Sequence, residues 1–169
     1  MPTPIGVSRE YRLPPTGAAA REARPVGGLT CSGTSVMRFR VHLELFARKL
    51  VLLVPAGIGV APPLHREGAY VTGGRCLYPL RTREPTGVIE VASARRLNLG
   101  DVFRVWGQPL SPHRIAGFRS AEPVLAFVNG RRLRGDPRTI PLRRHDEVVL
   151  EIGGYVPPHG SYLFPTLAS

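Results

Sequence analysis

Asn98-Leu-Gly-Asp-Val-Phe-Arg-Val-Trp-Gly107 is the stretch that decides how this chain reads. Leu99, Val102, Phe103 and Trp106 fall at i, i+3, i+4 and i+7, one apolar stripe on a 3.6-residue period. Asn98 suits the N-cap, because its side-chain oxygen can accept an orphan backbone N–H. Asp101 puts negative charge in the first turn, where the helix dipole favours it. Gly107 fits the position after the last turn, and Pro109 forbids continuation. The spacing predicts a helix over 99–106 that buries Leu99, Phe103 and Trp106.

Downstream, Val124 to Val128 and Arg131 to Leu133 flank Asn129-Gly130, the pair best able to take the positive φ of a type I′ turn. A hairpin is expected. Glu147 to Ile152 alternates, so Val148, Leu150 and Ile152 should face inward on a strand that Gly153-Gly154 ends. Upstream, Phe39, Val41, Leu43 and Leu45 alternate with Arg38, Arg40, His42 and Glu44. That pattern is a strand with one buried and one polar face, with Val41 and Leu43 in the core. The apolar run Lys49 to Val54 reads as its hairpin partner, and Gly87 to Val91 as a further short strand. Ala56 to Arg75 reads as a long loop, Leu77 to Thr86 as irregular or edge structure, and Ser111-Pro112 as the start of a single helical turn ending at Gly117.

These elements predict a mainly β (α+β) single domain: a mixed sheet of about five strands, one short helix packed on it, and long irregular loops. Residues 1–35 lack any periodic pattern and are expected to form a disordered or loosely packed arm. Residues 36–157 form the globular part, and 158–169 a proline-rich tail packed on it.

The chain has 169 residues and a net charge of +11. Its 19 glycines and 18 prolines favour turns over long helices. Lys49 is the only lysine among 23 basic residues. The arginines are dispersed, with few aromatics between them, so a solvated basic surface is expected and nucleic acid is disfavoured as a partner. Cys31 and Cys76 lie in no C-x-x-C motif, which excludes zinc-ribbon and thioredoxin readings. They permit one disulfide or two buried free thiols. No apolar run is long enough to span a membrane, and Met1 to Thr30 shows no signal-peptide h-region. His42, His65, His113, His145 and His159 are scattered. No metalloprotease, hydrolase-elbow or nucleotide-loop motif is present, so no catalytic residue and no cofactor is assigned.

The order of helix, strand, Asn-Gly turn, Ile140-Pro-Leu142 and His145-Asp-Glu-Val-Val-Leu150 resembles the second half of a β-grasp domain. The ubiquitin-like sulfur carriers of thiamine and molybdopterin synthesis share that layout. In those carriers a terminal Gly-Gly is the reactive end. Here Gly153-Gly154 is followed by Tyr155 through Ser169, so the resemblance implies a β-grasp-like fold without the sulfur chemistry.

A wider resemblance begins at Cys31. Val54 to Val60 (V-P-A-G-I-G-V), Arg75 to Gly87 (R-C-L-Y-P-L-R-T-R-E-P-T-G), Leu99 to Leu110, Val128-Asn-Gly130 and Asp136-Pro-Arg138 are similar to a family of exported bacterial proteins. The family is common in actinobacteria and has no established activity. The resemblance implies an extracytoplasmic protein, which suits a disulfide between Cys31 and Cys76. Many members carry histidines on the first strand and in an L-H-T-H-D motif, where imidazoles at alternating positions could share a metal. Here Arg81 and Arg83 replace the second pair and Arg40 one of the first, leaving His42. One imidazole makes no metal site, so none is expected. Arg81, Arg83, Arg40 and His42 become candidates for holding an anion, since guanidinium forks match carboxylate or phosphate. An ion pair of these arginines with Glu84 or Glu44 is the plainer alternative.

The expected role is a non-catalytic binding or structural domain of the bacterial cell envelope. It would act as a monomer on a protein or envelope ligand. The alternatives are an anion- or nucleic-acid-binding module working through surface arginines, and an enzyme with an unrecognised site.

Overall fold

A computed structural model describes residues 13–33 and 36–166. In chain order it contains α1 (Ala18–Arg21), β1 (Phe39–Ala47), β2 (Leu50–Leu52), β3 (His65–Glu67), β4 (Tyr70–Gly73), β5 (Leu80–Arg81) and β6 (Val88–Val91). Then come α2 (Leu99–Trp106), β7 (Leu110–Ser111), β8 (Arg114–Ile115), β9 (Phe118–Arg119), β10 (Leu125–Val128), β11 (Arg131–Leu133), a 3-10 turn (Pro137–Thr139) and β12 (Glu147–Ile152).

Helix α2 forms where its caps say it should. Asn98 Oδ1 accepts from the Asp101 N–H, and Asp101 Oδ2 accepts from the Asn98 N–H, a reciprocal capping box. Gly107 ends the helix at φ 80° and donates to the Phe103 carbonyl. Along its apolar stripe Leu99, Val102, Phe103 and Trp106 are buried.

The main sheet runs β11-β10-β12-β1-β6-β5, with β2 paired to the far end of β1. At its centre β1 and β12 are parallel, Leu43 opposite Val148 and Leu45 opposite Leu150. Neighbours on both sides are antiparallel. First and last strands lie side by side, with α2 in the connection between them, so the domain is mainly β with one short helix on a mixed sheet. Asn129 (φ 52°) and Gly130 (φ 80°) turn the β10–β11 hairpin as their chemistry predicts. Val41, Leu43, Val148 and Leu150 pack with Leu99, Phe103 and Trp106 in the main core.

Several expectations need correction. Residues 13–33 lie against the body: Ala20 and Leu29 are buried in the main core, and Trp106 Nε1 donates to the Pro14 carbonyl at 2.8 Å. Docking on the single tryptophan supplies the order that the segment's own pattern lacks. The rest of the expected arm, 1–12 and 34–35, lies outside the described residues. The 56–75 stretch contains the β3–β4 hairpin. The expected helical turn at 111–117 is a small sheet, β7-β8-β9. Pro112 and Gly117 sit in the turns between its strands, with Ala116 at φ 50°, while Leu110 and Ile115 reach the core. Among the described residues no helix is long and apolar enough to cross a membrane.

The largest departure is on the other face of the sheet. Strand alternation marked His42, Glu44, Glu147 and Glu151 as a polar, solvent-facing row. Instead His42, Glu147 and Glu151 are buried. The C-terminal segment crosses above them. Tyr155 packs on Phe127, Val156 joins a second apolar cluster of Phe46, Phe127 and Val149, and Tyr162 stacks on His42. Covering both faces is what turns a half-exposed sheet into a three-layer structure.

Candidate functional site

Period-two alternation turns Arg40, His42 and Glu44 of β1, and Glu147 of β12, onto the tail-covered face. Parallel register then sets His42 directly opposite Glu147. The Asn129 turn fixes the start of β12: its Oδ1 accepts the Glu147 N–H at 2.9 Å, and its Nδ2 donates to Asp146 at 2.8 Å.

His42 Nδ1 is 2.6 Å from Glu147 Oε2 and 3.8 Å from Glu44 Oε1. Its Nε2 lies 2.7 Å from the Thr86 carbonyl. A carbonyl only accepts, so Nε2 carries the proton and donates. Gly87 makes this approach available. It stands at φ +80°, and a Cβ there would fall 2.2 Å from the Leu43 carbonyl. Tyr162 covers the imidazole face, ring centroids 3.6 Å apart, and leaves the in-plane Nδ1 in its 2.6 Å hydrogen bond with Glu147 Oε2. Glu44 is the more open member, and His159 Nδ1 donates to it at 2.9 Å.

Burial pushes the Glu147 carboxyl up to about 7, and the neighbouring Glu44 adds to the shift while His42 opposes it. Glu147 Oε1 has no hydrogen-bond partner among the described residues despite complete burial. His42, Glu44 and Glu147 each offer one ligand atom, all within 4.8 Å of one another.

Glu151 is a second buried carboxyl on this face. Its Oε2 accepts the Val156 N–H at 3.1 Å, its Oε1 has no partner among the described residues, and burial raises its pKa. A carboxyl raised in the folded state stabilises the fold at acid pH, and that contribution fades as pH rises through the folded pKa. Glu151→Gln keeps an acceptor for Val156 and removes the buried charge. Its urea midpoint, relative to wild type, is therefore expected to rise from about pH 4 to about pH 8. A variant less stable than wild type at the higher pH would show that the charge is held by partners.

The four residues marked from the sequence do share this side of the sheet, but the arginines are engaged within the protein. Arg81 Nε and Arg83 Nε both donate to Glu90, at 2.9 and 3.1 Å, and Arg83 also donates to the Val71 and Thr72 carbonyls. Arg40 donates to the Pro165 carbonyl at 2.6 Å and stands over Phe164. The carboxylate that Arg81 and Arg83 grip is the protein's own, and it is Glu90, where Glu84 or Glu44 was expected. Sequence reasoning missed Glu44 and Glu147. The signal was present: His42-x-Glu44 places two polar groups on one strand face, and parallel pairing of first and last strands brings Glu147 across.

Cys31 and Cys76 form a disulfide, with Cα atoms 5.4 Å apart. Paired Ser32 and Leu77 backbone groups flank it. No protein family, curated protein or solved structure matches this chain.

Proposed function

We propose that the chain is a non-catalytic binding or structural domain of the bacterial cell envelope. The Cys31–Cys76 bridge carries this reading, because such bonds persist in oxidising compartments and are rare where thiols are kept reduced. The buried histidine supports the non-catalytic part. Both its ring nitrogens are taken, by the Thr86 carbonyl and Glu147, and neither faces a hydroxyl or thiol nucleophile. The test is alkylation of the native protein before reduction. A Cys31–Cys76-linked peptide is expected; alkylated thiols at both positions would place the protein in a reducing compartment and end this reading.

One observation favours a second reading, an anionic ligand. Arg38, Arg95, Arg96 and Arg144 line an open groove of about 430 Å³ that no acidic residue lines. These are not the arginines singled out from the sequence. A single-stranded oligonucleotide or polyphosphate held there would be lost steeply as salt rises, and Arg95→Ala with Arg96→Ala would weaken it. Binding indifferent to salt or to these changes removes the alternative.

A further inference from the structure

We propose that His42, Glu44 and Glu147 form a binding site for one divalent first-row transition ion, with Zn²⁺ as the probe. The inference goes beyond the binding-domain reading, which rests on the cysteines, and either can fail without the other.

Three features carry it. First, the donor atoms converge. His42 Nδ1 lies 2.6 Å from Glu147 and 3.8 Å from Glu44. Those spacings bracket the roughly 3.3 Å that tetrahedral ligation at about 2.05 Å requires between neighbouring donors. Second, the outer groups are those a metal site uses. The Nε2–H of His42 is anchored on the Thr86 carbonyl, so Nδ1, hydrogen-bonded to Glu147 in the metal-free protein, is the nitrogen that ligates when the ion displaces that shared proton. His159 donates to Glu44 and orients it in the same way. Third, Glu147 Oε1 is buried and has no hydrogen-bond partner among the described residues, an arrangement that costs free energy unless something else satisfies it. A cation between the carboxylates would do so and would favour both in their ionised form.

Access and selectivity follow from the surroundings. An open groove lined by Glu44, His159, Ser161, Tyr162 and Leu163 leads to the Glu44 side. The nitrogen donor favours zinc, copper, nickel or iron over the hard, oxygen-seeking Ca²⁺ and Mg²⁺. The set differs from the paired histidines of the resembling family: Arg81 and Arg83 take no part and hold Glu90.

Isothermal titration of the chelator-treated full chain with Zn²⁺ tests this. One saturable equivalent is expected, undisturbed by excess Ca²⁺. Glu44→Gln and Glu147→Gln should each weaken it at least about tenfold, while circular dichroism and thermal unfolding confirm that both variants remain folded. Glu44 is on the open side, so its variant remains informative if Glu147→Gln does not fold. Replacing the exposed His65 and His113 by Asn should change nothing. Absence of a saturable equivalent, binding unaltered in Glu44→Gln, or binding lost on removing His65 and His113 would each overturn the site.

Discussion

Trp106→Ala is expected to cost about 3–5 kcal/mol, a large part of the stability of a domain this size. The indole is fully buried at the end of α2, its ring 5.5 Å from that of Phe103. It is also the dock for the N-terminal segment, through the Nε1–H bond to the Pro14 carbonyl. Truncation opens a cavity and leaves that carbonyl without its donor. Urea unfolding followed by far-ultraviolet circular dichroism is the measurement, since the sole tryptophan fluorophore is lost. Trp106→Phe should fall between the two, retaining apolar area but not the hydrogen bond. A loss below about 1 kcal/mol for Trp106→Ala, the size of a typical single substitution, would mean that the helix does not seal the core.

Removing the disulfide is expected to have an effect of similar size. The bridge closes a loop with a sequence separation of 45. The chain-entropy model then gives about 4 kcal/mol of stabilisation through the unfolded state. It also ties the N-terminal segment to the loop entering β5, so reduction should loosen the 13–33 region before the sheet. Cys31→Ala with Cys76→Ala should lower the urea midpoint strongly, and hydrogen exchange should quicken first near Ala20 and Leu29. Equal midpoints for oxidised and reduced protein would contradict this.

How much of this was visible in the amino-acid order depends on how local each feature is. The α2 helix carries its own caps and stripe, and the β10–β11 hairpin its own Asn-Gly turn, so both read correctly from short stretches. Pro112 and Gly117 were ambiguous because the same residues that cap a helical turn also break strands. The candidate site was harder. Alternation says which side chains share a face of β1, but not what lies above that face. What lies above is a segment with Pro157-Pro158 and no period of its own. The partner of His42 is 105 residues away and is found only through parallel pairing of first and last strands. His42 therefore read as a lone imidazole, and its two carboxylates as solvent-facing charges.

The most direct test of the site is heteronuclear NMR of the histidine ring nitrogens in the metal-free full chain, before and after one equivalent of Zn²⁺. The account predicts a His42 ring protonated at Nε2 throughout, with its Nδ1 resonance shifting on addition while those of His65 and His113 stay in place. A His42 Nδ1 resonance that does not move, with shifts only at the exposed histidines, would contradict it.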